Sequence, residues 1–259
     1  MLKPHGVQLR IAQIADLSTV DWYGHVTFMI WVTGCNLRCP YCFNAALRDL
    51  NSGQAIDLEA LKRRISRGLS LIEAVGVTGG EPLLQADAVT ALFRWAKAVG
   101  LQTFLNSNLT VLSALKPLVE ERLVDYVATD IRSPSDPHLF AEATRLPPSL
   151  AEGCLNEFWA SVRLLRDAGI PVEFRITVVP EWNDNPSLIR RMASEIAPYA
   201  DRLILQQFEP SPGVPEEEFR RKPRTSREVL VQLARIALEI GIEKVFITTR
   251  ERGRERIRL

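Results

Sequence analysis

Apolar residues along the chain follow two alternating periods. From His25 to Val32, β-branched and aromatic residues run almost unbroken into Gly34, which predicts a strand. Behind Asp57, a predicted N-cap, Leu58, Leu61, Ile65 and Leu69 recur at helical spacing. Ala74 to Thr78 reads as a short strand ending in Gly79-Gly80-Glu81-Pro82. Val89, Leu92, Phe93 and Ala96 mark a second helix that stops at Gly100, and the strand Leu101 to Leu105 leads into Asn106-Ser107-Asn108.

A helix over Leu112 to Val119, interrupted at Pro117, comes next, then a strand from Tyr126 to Ile131 that contains Asp130. Ser133 to Gly153, with four prolines, reads as the longest irregular connection. Leu155, Phe158, Val162 and Leu165 mark a helix ending near Gly169, before a strand from Val172 to Val179. A helix near Leu188 to Ile196 precedes the strand Arg202 to Phe208. Thr225-Ser226-Arg227-Glu228 resembles a capping box opening a helix with Val229, Leu233, Ile236 and Ile240, and Val245 to Thr248 is a candidate last strand. Strands alternating with helices at this spacing predict an α/β fold of parallel units with right-handed crossovers, closed into a full or partial barrel or laid out as an open sheet. Either architecture binds ligands at the carboxyl ends of its strands. The segments Cys35 to Cys42, Gly79 to Glu81, Asn106 to Asn108 and Asp130 all fall there.

Composition narrows the picture. A chain of 259 residues, 46% hydrophobic, has the core of one barrel or of two smaller domains. We expect a single domain over 1–259, its core over approximately 17–208, with a C-terminal helix and candidate strand over 225–249. A formal charge of +1 gives no field that selects nucleic acid or an anionic membrane. Met1 to Asp21 is broken by Pro4, Gly6, Asp16 and Asp21 and lacks a signal peptide's apolar core, and no later run is long enough to span a bilayer. The expectation is a cytoplasmic protein with neither nucleic-acid nor membrane partners. His25 and His138 have no spacing that suggests a metal pair, and the arginine-rich run Arg250 to Arg258 reads as a solvated tail, with docking to an acidic partner as its alternative.

Three of the four cysteines crowd into Cys35-Asn36-Leu37-Arg38-Cys39-Pro40-Tyr41-Cys42. Disulfide frameworks belong to small secreted domains, so this crowding points to metal. Structural zinc takes four ligands, usually from paired knuckles, whereas here no second C-x-x-C follows and Cys154 stands alone. A 4Fe-4S cluster with three protein ligands keeps one iron open, as catalysis requires.

The C-x3-C-x2-C loop, with Tyr41 before its last cysteine, resembles the signature of radical S-adenosylmethionine enzymes. The resemblance implies a partial (β/α)6 barrel of TIM type, with a 4Fe-4S cluster on Cys35, Cys39 and Cys42. In that family S-adenosylmethionine chelates the fourth iron, and an electron from the cluster cleaves it to a 5′-deoxyadenosyl radical. Gly79-Gly80-Glu81-Pro82 resembles the motif that receives the methionine amino group, where glycines allow close backbone approach and a carboxylate accepts from an amino donor. Arg175, on the polar face that Glu173, Arg175 and Thr177 share, resembles an arginine that binds the cofactor carboxylate; an ion pair with Glu173 is its plain alternative. Asp130-Ile131-Arg132 is similar to the Asp-x-Lys segment that contacts ribose in glycyl-radical-enzyme activases, with arginine for lysine. Asn106-Ser107-Asn108 aligns with an Asp-Thr-Asn-Gly stretch there, the acid being replaced, and the resemblance puts Asn106 and Ser107 on the cofactor. Of Gln206 and Gln207 at most one faces the cavity, and the resemblance puts Gln207 by the ribose, with Tyr41 also on the cofactor.

Leu17 to His25 resembles the approach to the cysteines in activating enzymes of anaerobic ribonucleoside-triphosphate reductase and pyruvate formate-lyase, with Tyr23 for proline. Phe43-Asn44 resembles their His-Asn. These likenesses imply an activase that takes a hydrogen atom from a glycine of a glycyl radical enzyme, served by a low-potential donor such as flavodoxin or ferredoxin. Two alternatives are a small-molecule radical enzyme similar to 7-carboxy-7-deazaguanine synthase and a non-catalytic metal-binding interaction protein.

Overall fold

The structure, a computed structural model, describes residues 6–259. Pro4, one of the breaks read at the chain start, lies outside the described residues. The fold divides into two compact units, the first running to Asn36 and resuming over Ala46–Val127, the second made of Leu37–Ala45 and Ala128–Leu259.

In the first unit the chain order is β1 (Gln8–Ser18), β2 (Thr27–Val32), β3 (Gln54–Asp57), α1 (Leu58–Ser66), β4 (Ala74–Gly79), α2 (Ala86–Ala98), β5 (Gln102–Asn106) and α3 (Leu112–Glu120). The strands lie in the order β3-β1-β2-β4-β5. β2, β4 and β5 are parallel, as the alternating pattern predicts. β1 is antiparallel to both β2 and β3 and is absent from that pattern. Register shifts between Ile11 and Gln13 and between Ala15 and Ser18 explain why: each irregularity resets the period of two by which a strand is read.

Asp57 caps α1 by accepting from the Ala60 amide at 3.0 Å, and the helix buries Leu58, Leu61 and Ile65. Leu69 lies beyond its end and is exposed. Pro117 does not interrupt α3, which continues to Glu120 while Leu115, Leu118 and Val119 hold it down; burial of that stripe offsets the lost amide donor. Trp22 is buried and stacks on Tyr126, with ring centroids 5.1 Å apart. Ser18 Oγ donates to Asp21 at 2.5 Å, closing the turn just before it.

β6 (Tyr126–Asp130) carries the chain into the second unit. There follow α4 (Pro137–Thr144), α5 (Pro148–Asp167), β7 (Val172–Val178), α6 (Pro186–Ile196), β8 (Arg202–Gln207), α7 (Glu217–Arg221), α8 (Arg227–Ile240), β9 (Val245–Thr249) and β10 (Gly253–Ile257). The strand order is β6-β7-β8-β9-β10, with β7, β8 and β9 parallel.

Three expectations need correction here. Ser133 to Gly153 is not irregular: it holds α4 and the first turns of α5. Two of its prolines occupy first-turn positions, Pro137 behind the capping Asp136 and Pro148 behind Pro147, where no helical amide bond is lost. The cap of α8 is Ser226, whose Oγ accepts from Val229 at 3.3 Å, because Thr225 is turned inward and its hydroxyl donates to the Val178 carbonyl. The arginine-rich C-terminus is not a solvated tail, since Gly253–Ile257 pairs antiparallel with β9. Its alternating charges suit an edge strand. Ile257 is buried, Arg227 grips Glu255 at 2.8 Å, and Arg254 reaches Glu173 at 3.6 Å.

Candidate active site

The first unit assembles a polar nest at the carboxyl ends of β2, β4 and β5. β4 ends at Gly79, whose φ of 118° only glycine adopts readily. A Cβ on Gly79 would collide with the Val32 carbonyl, and one on Gly80 with the Gly34 carbonyl. The turn therefore lies flat against the chain entering the cysteine loop. Gly80 N donates to Val32 O at 2.9 Å and Glu81 N to Gly34 O at 2.6 Å. From the other side, Gly34 N and Cys35 N donate to the carbonyls of Leu47 and Arg48.

Glu81 is 0% exposed. Its carboxylate accepts from Ser107 Oγ at 2.7 Å, from the Asn108 amide at 2.6 Å and from the Leu83 amide at 2.9 Å. The side chain is thus committed to its own protein; what lies open to close approach at this motif is glycine backbone. Asn106 Nδ2 donates to Thr78 Oγ1 at 2.9 Å. Asn108 Nδ2 donates to Asn36 Oδ1 and Asn36 Nδ2 to Thr110 Oγ1, both at 2.8 Å, and Thr110 Oγ1 donates back to Asn108 Oδ1 at 2.7 Å.

The second unit brings Cys39, Tyr41, Asp130 and Arg132 together. Arg132 donates to the Asp130 carbonyl at 2.7 Å and lies 3.7 Å from its carboxylate. Burial works to lower the Arg132 pKa, but the Cys39 sulfur, which it also hydrogen-bonds, with Asp130 and Tyr41, outweighs burial and holds it above the ordinary value. The Tyr41 phenol is pushed far up, first by burial and then by Cys39. Cys39 is 8% exposed, whereas Phe43 stands out in solvent.

Arg175 Nε donates to the buried carboxylate of Glu173 at 2.7 Å, and Arg202 and Arg254 approach the same group at 4.0 and 3.6 Å. The plain alternative for Arg175, the internal ion pair, is therefore formed. Gln206 is in register with Thr177, next to Arg175 along the polar face. Gln207, on the opposite face, donates to the Thr225 carbonyl at 2.8 Å and accepts from the Arg250 amide at 2.9 Å.

The Radical SAM superfamily model matches residues 29–192. A protein of Methanocaldococcus jannaschii described as "Putative glycyl-radical enzyme activating enzyme MJ1227" is 30% identical over 239 residues, 92% of this chain and 95% of that one. The chain belongs to the radical SAM superfamily. The pyruvate formate-lyase 1-activating enzyme of Escherichia coli K12 is 28% identical over 189 residues, 71% of this chain and 73% of that enzyme. In fold, a radical SAM methyltransferase from Sphaerobacter thermophilus superposes with a TM-score of 0.68 at 16% identity, over 90% of this chain and 68% of that one. The α/β fold with its largely parallel strands is that of the superfamily's partial barrels.

Radical SAM proteins use a 4Fe-4S cluster and S-adenosylmethionine, and the donor set present fits both. Cys35, Cys39, Cys42 and Cys154 are not joined in disulfides. Among the described residues no three His, Cys, Asp or Glu side chains are grouped as a metal site, so the assignment of the cluster rests on the cysteine spacing. Glycine at 79 and 80 is required by the backbone packed against it, that of Val32 and Gly34, which holds the turn flat against the chain entering the cysteine loop. Asn36 and Thr110 are polar groups of this nest to which the sequence alone gives no role, and Asn108 joins them from the strand-end segment Asn106 to Asn108. The one sequence signal for them is Asn108-Leu109-Thr110, an Asn-x-Thr stretch apt for a side-chain-closed turn.

Proposed function

We propose that this protein is a glycyl-radical-enzyme activase whose cluster is held by Cys35, Cys39 and Cys42. The observation that carries the reading is the 30% identity to an activating-enzyme relative over nearly the full length of both chains. When bound, the reduced cluster supplies the electron that splits S-adenosylmethionine into methionine and the 5′-deoxyadenosyl radical, which takes a hydrogen atom from a partner glycine.

The chain's own residues orient and shield. Gly79 and Gly80 present backbone to the methionine amino group. Asp130 accepts from the ribose hydroxyls, and Arg132, Tyr41, Asn106 and Ser107 line the cofactor's surroundings, while Gln207 on the opposite face is engaged by Thr225 and Arg250. Arg175, held by Glu173, meets the carboxylate. The electron comes from a low-potential donor such as flavodoxin or ferredoxin. Among the described residues no helix is long and apolar enough to cross a membrane, and we place the enzyme, as one radical SAM domain, in the cytoplasm.

The test is to mix anaerobically reconstituted, reduced protein and S-adenosylmethionine with a glycyl radical enzyme from the same genome and record the electron paramagnetic resonance spectrum. A glycyl-radical doublet, lost when the partner glycine is replaced, is expected. Conversion of a small metabolite with no protein radical would replace the reading with the small-molecule alternative.

A further inference from the structure

S-adenosylmethionine in this family bridges two places at once, the open iron beyond the cysteine loop and the Gly-Gly turn. Its affinity therefore depends on the distance between those places being set before it arrives, since any ordering left to the cofactor is subtracted from binding. In the first unit that distance has a visible determinant. Glu81 N fixes the Gly34 carbonyl immediately before Cys35. The Asn36 side chain, immediately after Cys35, sits in a closed ring with Asn108 and Thr110, and the Asn108 amide is seated on the Glu81 carboxylate. Cys35 is gripped on both flanks by groups that trace back to the residue following the Gly-Gly turn.

The loop completing the ring is strained. Leu109, fully buried, has φ 59°, a left-handed conformation that a leucine side chain disfavours. It is held by the Leu109 amide on Ser107 Oγ at 2.9 Å and the Thr110 amide on Asn108 Oδ1 at 3.0 Å. Strain kept in place by a dense local network fits a site whose geometry is imposed.

We propose that the Asn36–Asn108–Thr110 ring, anchored on the buried Glu81 carboxylate, sets the spacing between Cys35 and the Gly79-Gly80 turn, and that Asn36 and Thr110 are positioning residues for S-adenosylmethionine. The proposal rests on Cys35 being a cluster ligand. Asn36→Ala removes two hydrogen bonds of the ring without touching a cysteine or either glycine, and Thr110→Val removes the hydroxyl corner with little change of shape. Each lost bond is of the size that weakens binding severalfold, so Asn36→Ala should raise the dissociation constant of S-adenosylmethionine roughly tenfold.

Iron and sulfide content of each reconstituted variant is measured first. The reduced-cluster spectrum is then recorded with and without S-adenosylmethionine, together with a cofactor titration and a urea melt. Thr103→Ala is the control: it removes a buried bond to the Leu123 carbonyl, at the far end of β5 from the ring. The expected result is full cluster content in all three variants and comparable losses of stability. Weakened binding and an altered cofactor-induced spectral shift should appear in Asn36→Ala and Thr110→Val only. If both bind like wild type, or if Thr103→Ala weakens binding as much, the ring is merely structural and the proposal is overturned. If wild-type protein takes up no cluster, the reading of Cys35 fails first and the proposal falls with it.

Discussion

Glu81 shows how far chemistry can be read from a motif at the scale of single residues. A carboxylate following two glycines at a strand end predicts a functional group, and that position is where the sequence analysis puts it. Its direction is not legible. Three donors converge on it, two from the segment after β5 and one from its own turn, and such convergence exists only once β4 and β5 are neighbours. Asn36 is a second case, since nothing in a loop between cysteines distinguishes a ring-forming asparagine from a solvated one. Glu81→Gln tests the assignment. An amide puts an NH2 where donors already point, and an unmet buried donor costs about 1–3 kcal/mol. The urea midpoint should fall accordingly, with cluster content retained. The cysteines obey a different logic under the proposed function, because there their thiolates would be the ligands themselves. Alanine at Cys35, Cys39 or Cys42 should prevent cluster assembly, as read by iron and sulfide analysis, whereas Cys154→Ala should load normally. Cys154 lies in α5, where burial foremost, with Glu157, raises its pKa and disfavours the thiolate.

Among elements, those whose hydrophobic period runs uninterrupted were legible, and those marked by breakers or charge were not. The parallel strands sit within a residue or two of their predicted bounds, whereas α1 ends at Ser66, short of Leu69, and α5 begins at Pro148, well before Leu155. β1 is hidden by its irregular register, β10 by its charges and α4 by its prolines. The entry to α4 has a testable signature. Asp136 accepts from the His138 and Leu139 amides at 2.9 and 3.2 Å, and these bonds, the Leu139 one foremost, with Arg191, hold its carboxyl below its usual value of 3.8. A depressed folded-state value means that the unfolded chain takes up the proton first. The stabilisation from this carboxylate is therefore complete above about 4 and is lost as pH falls through the lower folded-state value. Asparagine caps as well as aspartate but does not titrate. Wild type should thus hold its urea midpoint above Asp136→Asn near neutrality, and the gap should close in strong acid; a gap independent of pH would show that the charge is not what stabilises this cap.

For the whole molecule, the dependence of the fold on the cluster is the remaining question, and it can be argued from where burial lies. Small metal-folded domains unfold without their ion because the metal replaces a core they lack. Here both units have their own cores: Phe28, Ile30, Val77, Phe93 and Leu105 in the first and Phe174, Ile176, Ile189, Leu203 and Ile247 in the second are all essentially inaccessible. The cysteine loop, too, is held by protein. Cys35 N donates to the Arg48 carbonyl at 3.1 Å, Arg38 N donates to that of Thr144 at 2.8 Å, and Leu37 is 2% exposed. None of these contacts uses a cysteine sulfur. Cluster-free protein should therefore keep the far-ultraviolet circular dichroism of the loaded form and unfold cooperatively, and hydrogen exchange should find the Cys35 and Arg38 amides still protected. Loss of secondary structure on anaerobic chelation of the iron would show instead that the cluster organises the loop, and would move the origin of the site's geometry from the hydrogen-bonded frame around Cys35 to the metal.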